Sequence, residues 1–442
     1  MNLRYIDSLK IPTANRHLRR LLLPALSALF AGGAFLAATS VNAQGMPQAP
    51  TLSLDQAVQL TLEQHPQLSV FLHRSEAYQG LAEQAGVRER PNVSLSVEDF
   101  AGSGDQDGFD SAQSTLAISW VSQGARINSR VQSARVAASQ VDVQQAIKAL
   151  DLSAQTARLF IQALVEKQRM ALAQQAVQQA RNTVADIKRR VDAGKSPEFE
   201  HLQAEVEFAQ RELEAEDLQH DLSSLRYQLS AQWEDTQQGD KQSDFRLEGA
   251  LFKMPVINNT EQQFDQLKKN PALALLATQQ RIVQSEMELA RIEARPQWQF
   301  SVGARRYEAT DDFAMVAGVS VPLGNDRRSA GKIRSLHAKQ AAYGSESEAL
   351  RRQLDTQLYL LLQEIKHSQH VIETLQERII PALNNAQAQA TRAYETGQLD
   401  YQQWTAILHK KLGAQQTLLS AFEAIHLQHI ELQRLTGTTL TF

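Results

Sequence analysis

The sequence predicts a mainly α chain with a small β part, built as a tandem repeat of strand pairs and long antiparallel coiled-coil helices. Three observations carry this. One long segment occurs twice at an offset near 205 residues: His65-Pro66-Gln67-Leu68 returns as Asn270-Pro271-Ala272-Leu273, and Glu89-Arg90-Pro91 as Ala294-Arg295-Pro296. Residues 125–193 hold neither Gly nor Pro, a run of 69 residues that would be about 100 Å long as a helix. Four short runs alternate apolar with polar or small residues, the period of a strand.

The period is far longer than the roughly 20–50 residues of solenoid repeats, so it reads as one fold unit duplicated, residues 44–245 and 246–442. Residues 1–43 read as a signal peptide. Arg16, Arg19 and Arg20 precede an apolar stretch from Leu21 to Ala38, and Val41-Asn42-Ala43 fits a small-x-small cleavage site. An uncleaved anchor is the alternative, since about 18 apolar residues can just span a bilayer.

In the first copy, Ser53-Leu54-Asp55-Gln56 opens a helix with a capping-type Ser. Its end is expected by Arg90-Pro91, because the residue before Pro leaves the α region. Val93, Leu95 and Val97 then alternate with Ser94, Ser96 and Glu98. After a Gly/Asp-rich loop, Leu116, Ile118 and Trp120 alternate with Thr115, Ala117 and Ser119. The loop acids Asp105, Asp107 and Asp110 lack the Glu that closes a Ca²⁺ loop and read as surface. The second copy repeats the pair with Trp298, Phe300, Val302 and Ala304, then Phe313, Met315, Ala317, Val319 and Val321.

The long helices follow. Apolar positions step by four and three through Ile127, Val131, Ala134, Ala138 and Val141. They resume from Ile147 to Leu164 and from Ala173 to Val191, which is coiled-coil spacing with phase breaks. Gly194 and Pro197 make a sharp reversal, and a second helix returns from Glu198 to about Trp233. Copy two repeats this from Ile333 to Glu395, turns at Thr396-Gly397 and returns to Leu435. Pro381, with no counterpart at Gln178, is expected to kink that helix or to joint two helices.

Composition excludes several classes. There is no cysteine, hence no disulfide, thiolate metal site or lipidated N-terminal Cys. Beyond residue 43 the chain holds 40 basic and 48 acidic residues. No basic patch suggests nucleic acid. No phosphate loop or nucleophile–base pair suggests an enzyme, and no cofactor is implied.

Strands apolar on one side and small or polar on the other suit a transmembrane β-barrel, with Trp120, Trp298, Tyr307 and Phe313 as interfacial aromatics. A soluble hairpin pair fits the alternation equally. Four strands cannot close a barrel in lipid, where each unpaired backbone group costs several kcal/mol. A membrane barrel would therefore be shared: eight, twelve or sixteen strands from two, three or four chains.

With these motifs in order, the chain resembles the TolC family of trimeric outer-membrane efflux channels from Leu52 to Thr438. The tip turns Arg190-Val191-Asp192-Ala193-Gly194 and Ala393-Tyr394-Glu395-Thr396-Gly397 fit. So do Arg90 to Phe100 and Gly318 to Leu323, which are similar to the first and last strands of the CzcC-type heavy-metal subfamily. The resemblance implies a homotrimer with a twelve-stranded barrel in outer-membrane lipid and a periplasmic helical tunnel. The implied partners are a periplasmic adaptor and an inner-membrane resistance-nodulation-division pump. It implies tip and adaptor contacts at Asp192, Ala193, Gly194, Lys195, Glu395, Thr396, Gly397 and Gln398. Gate candidates are Glu198, Glu200, Asp400 and Gln403. Gln403 departs from the family pattern, leaving the second copy without an acid six residues past its glycine. The implied cargo is heavy-metal cations, with organic compounds as the variant. A competing reading of another class is a periplasmic coiled-coil adaptor or scaffold.

His367 with His370, and His426 with His429, have the i,i+3 spacing that places two imidazoles on one helix face. With no third ligand in view they read first as ordinary helix residues.

Overall fold

The computed structural model describes residues 51–233, 245–257, 259–322 and 327–438. The signal-peptide segment 1–43 lies outside them. The elements run β1 (Thr51–Leu52), α1 (Leu54–Gln64), α2 (Pro66–Gly86), β2 (Asn92–Glu98), β3 (Gln113–Val121), α3 (Gly124–Asp192) and α4 (Glu198–Ser230). After these come β4 (Arg246–Leu247), α5 (Thr260–Leu267), α6 (Pro271–Glu293), β5 (Gln299–Tyr307), β6 (Asp312–Ser320), α7 (Arg327–Thr374), α8 (Ile380–Glu395) and α9 (Tyr401–Thr436).

Ser53 caps α1 with a capping box: its hydroxyl accepts from the Gln56 N–H, and the Gln56 side chain accepts from the Ser53 N–H. The single helix expected up to Arg90-Pro91 is two. Pro66 has no N–H to donate and sits at the first position of α2, while His65 Nδ1 accepts from the Gln67 N–H at 3.1 Å. The same device recurs at Asn270-Pro271, where Asn270 Oδ1 caps Ala272 at 2.8 Å.

The 69 residues of α3 are helical throughout. Its coiled-coil positions are buried unevenly. Ala154, Ala157, Ile161 and Leu164 are fully enclosed, while Ile127, Val131, Ala134 and Ala138 are half-buried. The enclosed stretch meets Leu229 of α4, Ile372 of α7 and Phe422, Ile425 and Ile430 of α9 in the main core. Burying each Leu, Ile or Phe of this core stabilises by roughly 1.5–3 kcal/mol. Over the same core the two-residue strands β1 and β4 pair in parallel, Leu52 with Leu247. A second cluster packs Leu358, Leu361, Leu362 and Ile365 of α7 on Leu267 and on Leu432 and Leu435 of α9.

At Pro381 the helix continues through one π turn, Leu375–Ile379, joining α7 to α8. Pro381 cannot donate to the carbonyl four residues back, and the widened turn absorbs the defect.

The strands form one antiparallel sheet in the order β2-β3-β5-β6. Its register is continuous: Leu95 opposite Leu116, Leu116 opposite Ala304, Ala304 opposite Met315. Both outer strands, β2 and β6, have one edge without a strand partner among the described residues.

Candidate functional site: the sheet faces and the hairpin tips

The register sorts the sheet into two chemical faces. One carries Val93, Leu95, Leu116, Ile118, Trp120, Phe300, Val302, Met315 and Val319 in matching rows. These are large apolar groups left in the open: Leu95 is 70% exposed and Met315 77%. The other face carries Asn92, Ser94, Ser96, Glu98, Gln113, Thr115, Ser119, Ser301, Gly303, Arg305 and Gly318. A Cβ added to Gly303 would lie 2.6 Å from the Leu116 carbonyl oxygen, so this face is pressed close as well as polar. A soluble sheet buries its apolar face; this one presents it outward. β2 has seven residues and β3, β5 and β6 nine each, and nine is the length that crosses a hydrocarbon layer when tilted. Trp120 stacks on Phe300 at 6.1 Å near the helix end of the sheet, and Phe313 is exposed near the loop end, the positions of interfacial aromatics. Among the described residues no helix is long and apolar enough to cross a membrane.

The far ends of the helices are the second feature. Gly194 takes φ 67° and Gly397 φ 74°, the left-handed region where Cβ is costly. Each turn closes with the same pair of bonds. Gly194 donates to Val191 O and Lys195 to Arg190 O, both at 2.8 Å. Gly397 donates to Tyr394 O at 3.1 Å and Gln398 to Ala393 O at 2.8 Å. These are Schellman closures. They leave Asp192, Ala193, Gly194 and Lys195 exposed at one tip, and Glu395, Thr396, Gly397 and Gln398 at or near the surface of the other.

Just behind the turns the two hairpins lock together. The Tyr394 ring stacks on Trp404 at 4.7 Å, nearly parallel, and Tyr401 tilts against both. The Arg190 guanidinium lies 4.4 Å from the Tyr394 ring centre, and its Nη2 donates to Tyr394 O at 3.3 Å. Trp404 Nε1 donates to Thr391 Oγ1 at 3.2 Å. Ile187 of α3 and Ala204 of α4 close the cluster from the first hairpin. Burial, with the Glu207 carboxylate next, pushes the Tyr401 hydroxyl up to about 12. Burial and then Glu200 raise Tyr394. Further along, Glu207 of α4 accepts from His409 Nε2 of α9 at 3.0 Å and from Arg211 at 2.7 Å. Gln416 of α9 donates to Glu214 at 3.1 Å. The contact of Arg190 with this cluster is invisible in the repeat pattern, because Arg190 and Tyr394 lie 204 residues apart.

The gate candidates fall near this cluster. Glu198 is largely exposed and 3.7 Å from His201, and Glu200 is half-buried. Asp400 and Gln403 form the capping box of α9: Asp400 Oδ1 accepts from the Gln403 N–H at 2.7 Å and the Gln403 side chain accepts in return. His367 and His370 are exposed on α7. His426 is buried and donates Nε2–H to Leu251 O at 2.8 Å; burial holds it below its ordinary value. His429 is held down to about 4, by burial and then by His426. No group of three or more metal-type side chains converges among the described residues.

An exposed apolar sheet face, an opposite small-and-polar face and very long helical hairpins are features that suit an outer-membrane channel protein. Residues 57–233 match the family described as outer membrane efflux protein. Over 412 residues, 91% of this chain and 94% of the relative, the sequence is 26% identical to the cobalt-zinc-cadmium resistance protein CzcC of Cupriavidus metallidurans. The fold is that of solved outer-membrane proteins. VceC of Vibrio cholerae matches at TM-score 0.68 and 16% identity over 87% of this chain and 96% of that one. CusC matches at 0.67 and 14% over 87% and 92%. The open-state MtrE channel of Neisseria gonorrhoeae matches at 0.66 and 14% over 87% and 89%. The match over residues 57–233 and the end-to-end likeness make the chain an outer-membrane efflux channel protein.

Proposed function

We propose that three copies assemble into one duct that exports heavy-metal cations, as the outer-membrane part of a tripartite system with a periplasmic adaptor and a resistance-nodulation-division pump. The observation that carries the cargo is the end-to-end likeness to a cobalt-zinc-cadmium resistance protein. The assembly rests on the two strand edges of β2 and β6, which lipid cannot satisfy. Three sheets joined edge to edge make a closed twelve-stranded barrel. The repeats 44–245 and 246–442 each supply two strands and one hairpin, so three chains wall the tube with six hairpins. The element order, β1-α1-α2-β2-β3-α3-α4 followed by β4-α5-α6-β5-β6-α7-α8-α9, supports that division. The exposed tips at Asp192 to Lys195 and Glu395 to Gln398 meet the adaptor. Glu198 and Glu200 are the acids available to the closing tip, since the cap of α9 engages Asp400 and Gln403.

The test is the sensitivity profile of a deletion strain. Loss of the chain sensitises cells to Zn²⁺, Co²⁺ and Cd²⁺ more than to detergents or dyes. The reverse ranking assigns the duct to organic compounds.

A further inference from the structure

The small-and-polar face of the sheet holds one charged constellation, and it sits at the loop end, farthest from the helices. Arg305 on β5 donates Nε to Thr115 Oγ1 at 2.9 Å and Nη1 to Gln113 Oε1 at 3.1 Å, both on β3, and Nη2 to Glu98 Oε2 at 3.3 Å on β2. One guanidinium thus ties three adjacent strands. Gln113 passes its own N–H₂ to Asp99 Oδ2 at 2.7 Å. In the register Glu98, Gln113, Tyr307 and Asp312 form one row across this face, and Ser96, Thr115, Arg305 and Ala314 the next. Within the strands the charges on this face are therefore Glu98, Arg305 and Asp312. Arg306 lies on the apolar face and pairs with Glu308 at 3.4 Å and Asp311 at 3.0 Å.

We propose that Arg305 sets ionic selectivity at the outer mouth, neutralising Glu98 so that divalent cations leave the duct and are not retained there. This rests on the barrel reading above, in which the polar face lines the bore. A ring of unpaired carboxylates in a narrow bore concentrates and binds divalent cations. Conduction needs such binding to stay weak. Arg305 is three-quarters shielded, with its side chain 26% exposed, whereas Glu98 is 52% exposed. The carboxylate is thus the group reaching toward the bore, and the guanidinium is its fixed counter-charge. Each chain carries one positive and two negative strand groups on this face. Removing Arg305 would double the net negative charge there, and removing Glu98 would cancel it.

The experiment is single-channel recording of the full chain in planar bilayers under a KCl gradient, with Zn²⁺ added on the loop side. Arg305→Gln shifts the potassium-to-chloride permeability ratio toward cations by at least about twofold and deepens Zn²⁺ block by a similar factor. Arg305→Lys keeps the wild-type ratio. Glu98→Gln, which leaves Arg305 in place, shifts the ratio toward anions, so the proposal stays testable even if Arg305→Gln assembles poorly. Conducting pores of Arg305→Gln or Glu98→Gln with wild-type selectivity and block overturn the inference alone. A wild-type chain that forms no pore overturns the barrel reading and the inference with it.

Discussion

Arg169 offers the sharpest test of how the two halves of the chain are held together. It sits on α3 and reaches α9. Its Nη1 contacts Glu166 Oε2 at 3.2 Å, and its Nη2 contacts Glu423 Oε2 at 2.7 Å and Ser420 Oγ at 3.1 Å. Glu166 is buried, its Oε1 has no hydrogen-bond partner, and burial raises its pKa against the pull of Arg169. Arg169→Met keeps the apolar stem and removes the charge, leaving two carboxylates near each other and one of them inside. Breaking a buried pair in this way costs about 3–5 kcal/mol. Glu423 is 20% exposed and can turn to water, which places the expectation near the lower end, about 3 kcal/mol. The sign with pH follows from Glu166. A carboxyl whose folded pKa lies above its unfolded value is not penalised below the unfolded value, near 4.5, and loses stability as pH rises through the folded one. Without Arg169 that rise is larger. The deficit of Arg169→Met against wild type should therefore be largest near pH 8 and shrink toward pH 5, and Glu166→Gln should rescue it at pH 8. Thermal unfolding of the detergent-solubilised protein at the two pH values measures both. A deficit independent of pH, or unmoved by Glu166→Gln, would refute the reasoning and reduce Arg169 to a packing role.

Two further expectations concern the tip and the main core. Trp404→Ala removes the 4.7 Å stack on Tyr394 and the bond to Thr391, a truncation of about 3–5 kcal/mol; amide exchange in 187–193 and 391–404 should accelerate while the core near Phe422 stays protected, and equal exchange at the tips would show that the cluster does not hold them. His426 and His429 are kept neutral by burial, so the unfolded chain takes up protons first; stability is complete above about pH 6.5 and is lost progressively toward about pH 4. His429→Gln should flatten that loss by about 2 kcal/mol at pH 5, read from denaturant midpoints at pH 7 and 5, and an unchanged acid slope would place the titrating groups elsewhere.

What was legible in the sequence is what local chemistry decides. The 69 residues of α3 were readable because no Gly or Pro interrupts them, and the tips because Gly194 and Gly397 must take left-handed φ. The two sheet faces were readable because the period of a strand is two, and the observed register keeps Val93, Ile118 and Val302 in one apolar row and Leu95, Leu116 and Ala304 in the next. The break at His65 rests on the same kind of signal as the end at Pro91, since Pro66 suits only the first turn of a new helix. The β1–β4 pair is two residues long and joins segments nearly 200 apart, too short and too distant for any pattern to announce. The link between the tips was illegible for a related reason: Arg190 and Tyr394 lie in tip turns 204 residues apart and meet only where the two hairpins stand side by side. Asp400 and Gln403 are an acid and an amide shortly after a glycine. Their spacing of three is also that of a capping box, and the backbone takes that use.

The two hairpins close with the same Schellman bonds, so their differences lie in how stiffly each turn is carried. The first rests on α3, an unbroken helix, and restarts at Pro197 with no side-chain cap. The second restarts with a full capping box at Asp400 but is carried on α7 and α8, joined through the π turn at Leu375–Ile379. A π turn weakens the regular bonding ladder over a few residues and gives the second hairpin a place to bend that the first lacks. It lies about 25 Å from the tip at 1.5 Å per residue over α8, and between the two stand the Tyr394–Trp404 stack and the Arg190 contact. Bending at the π turn therefore loads the aromatic cluster directly. Glu207–His409 and Glu214–Gln416, which tie α4 to α9 further from the tip, lie on the other leg of the same hairpin. Compliance thus sits in the second hairpin and stiffness in the first.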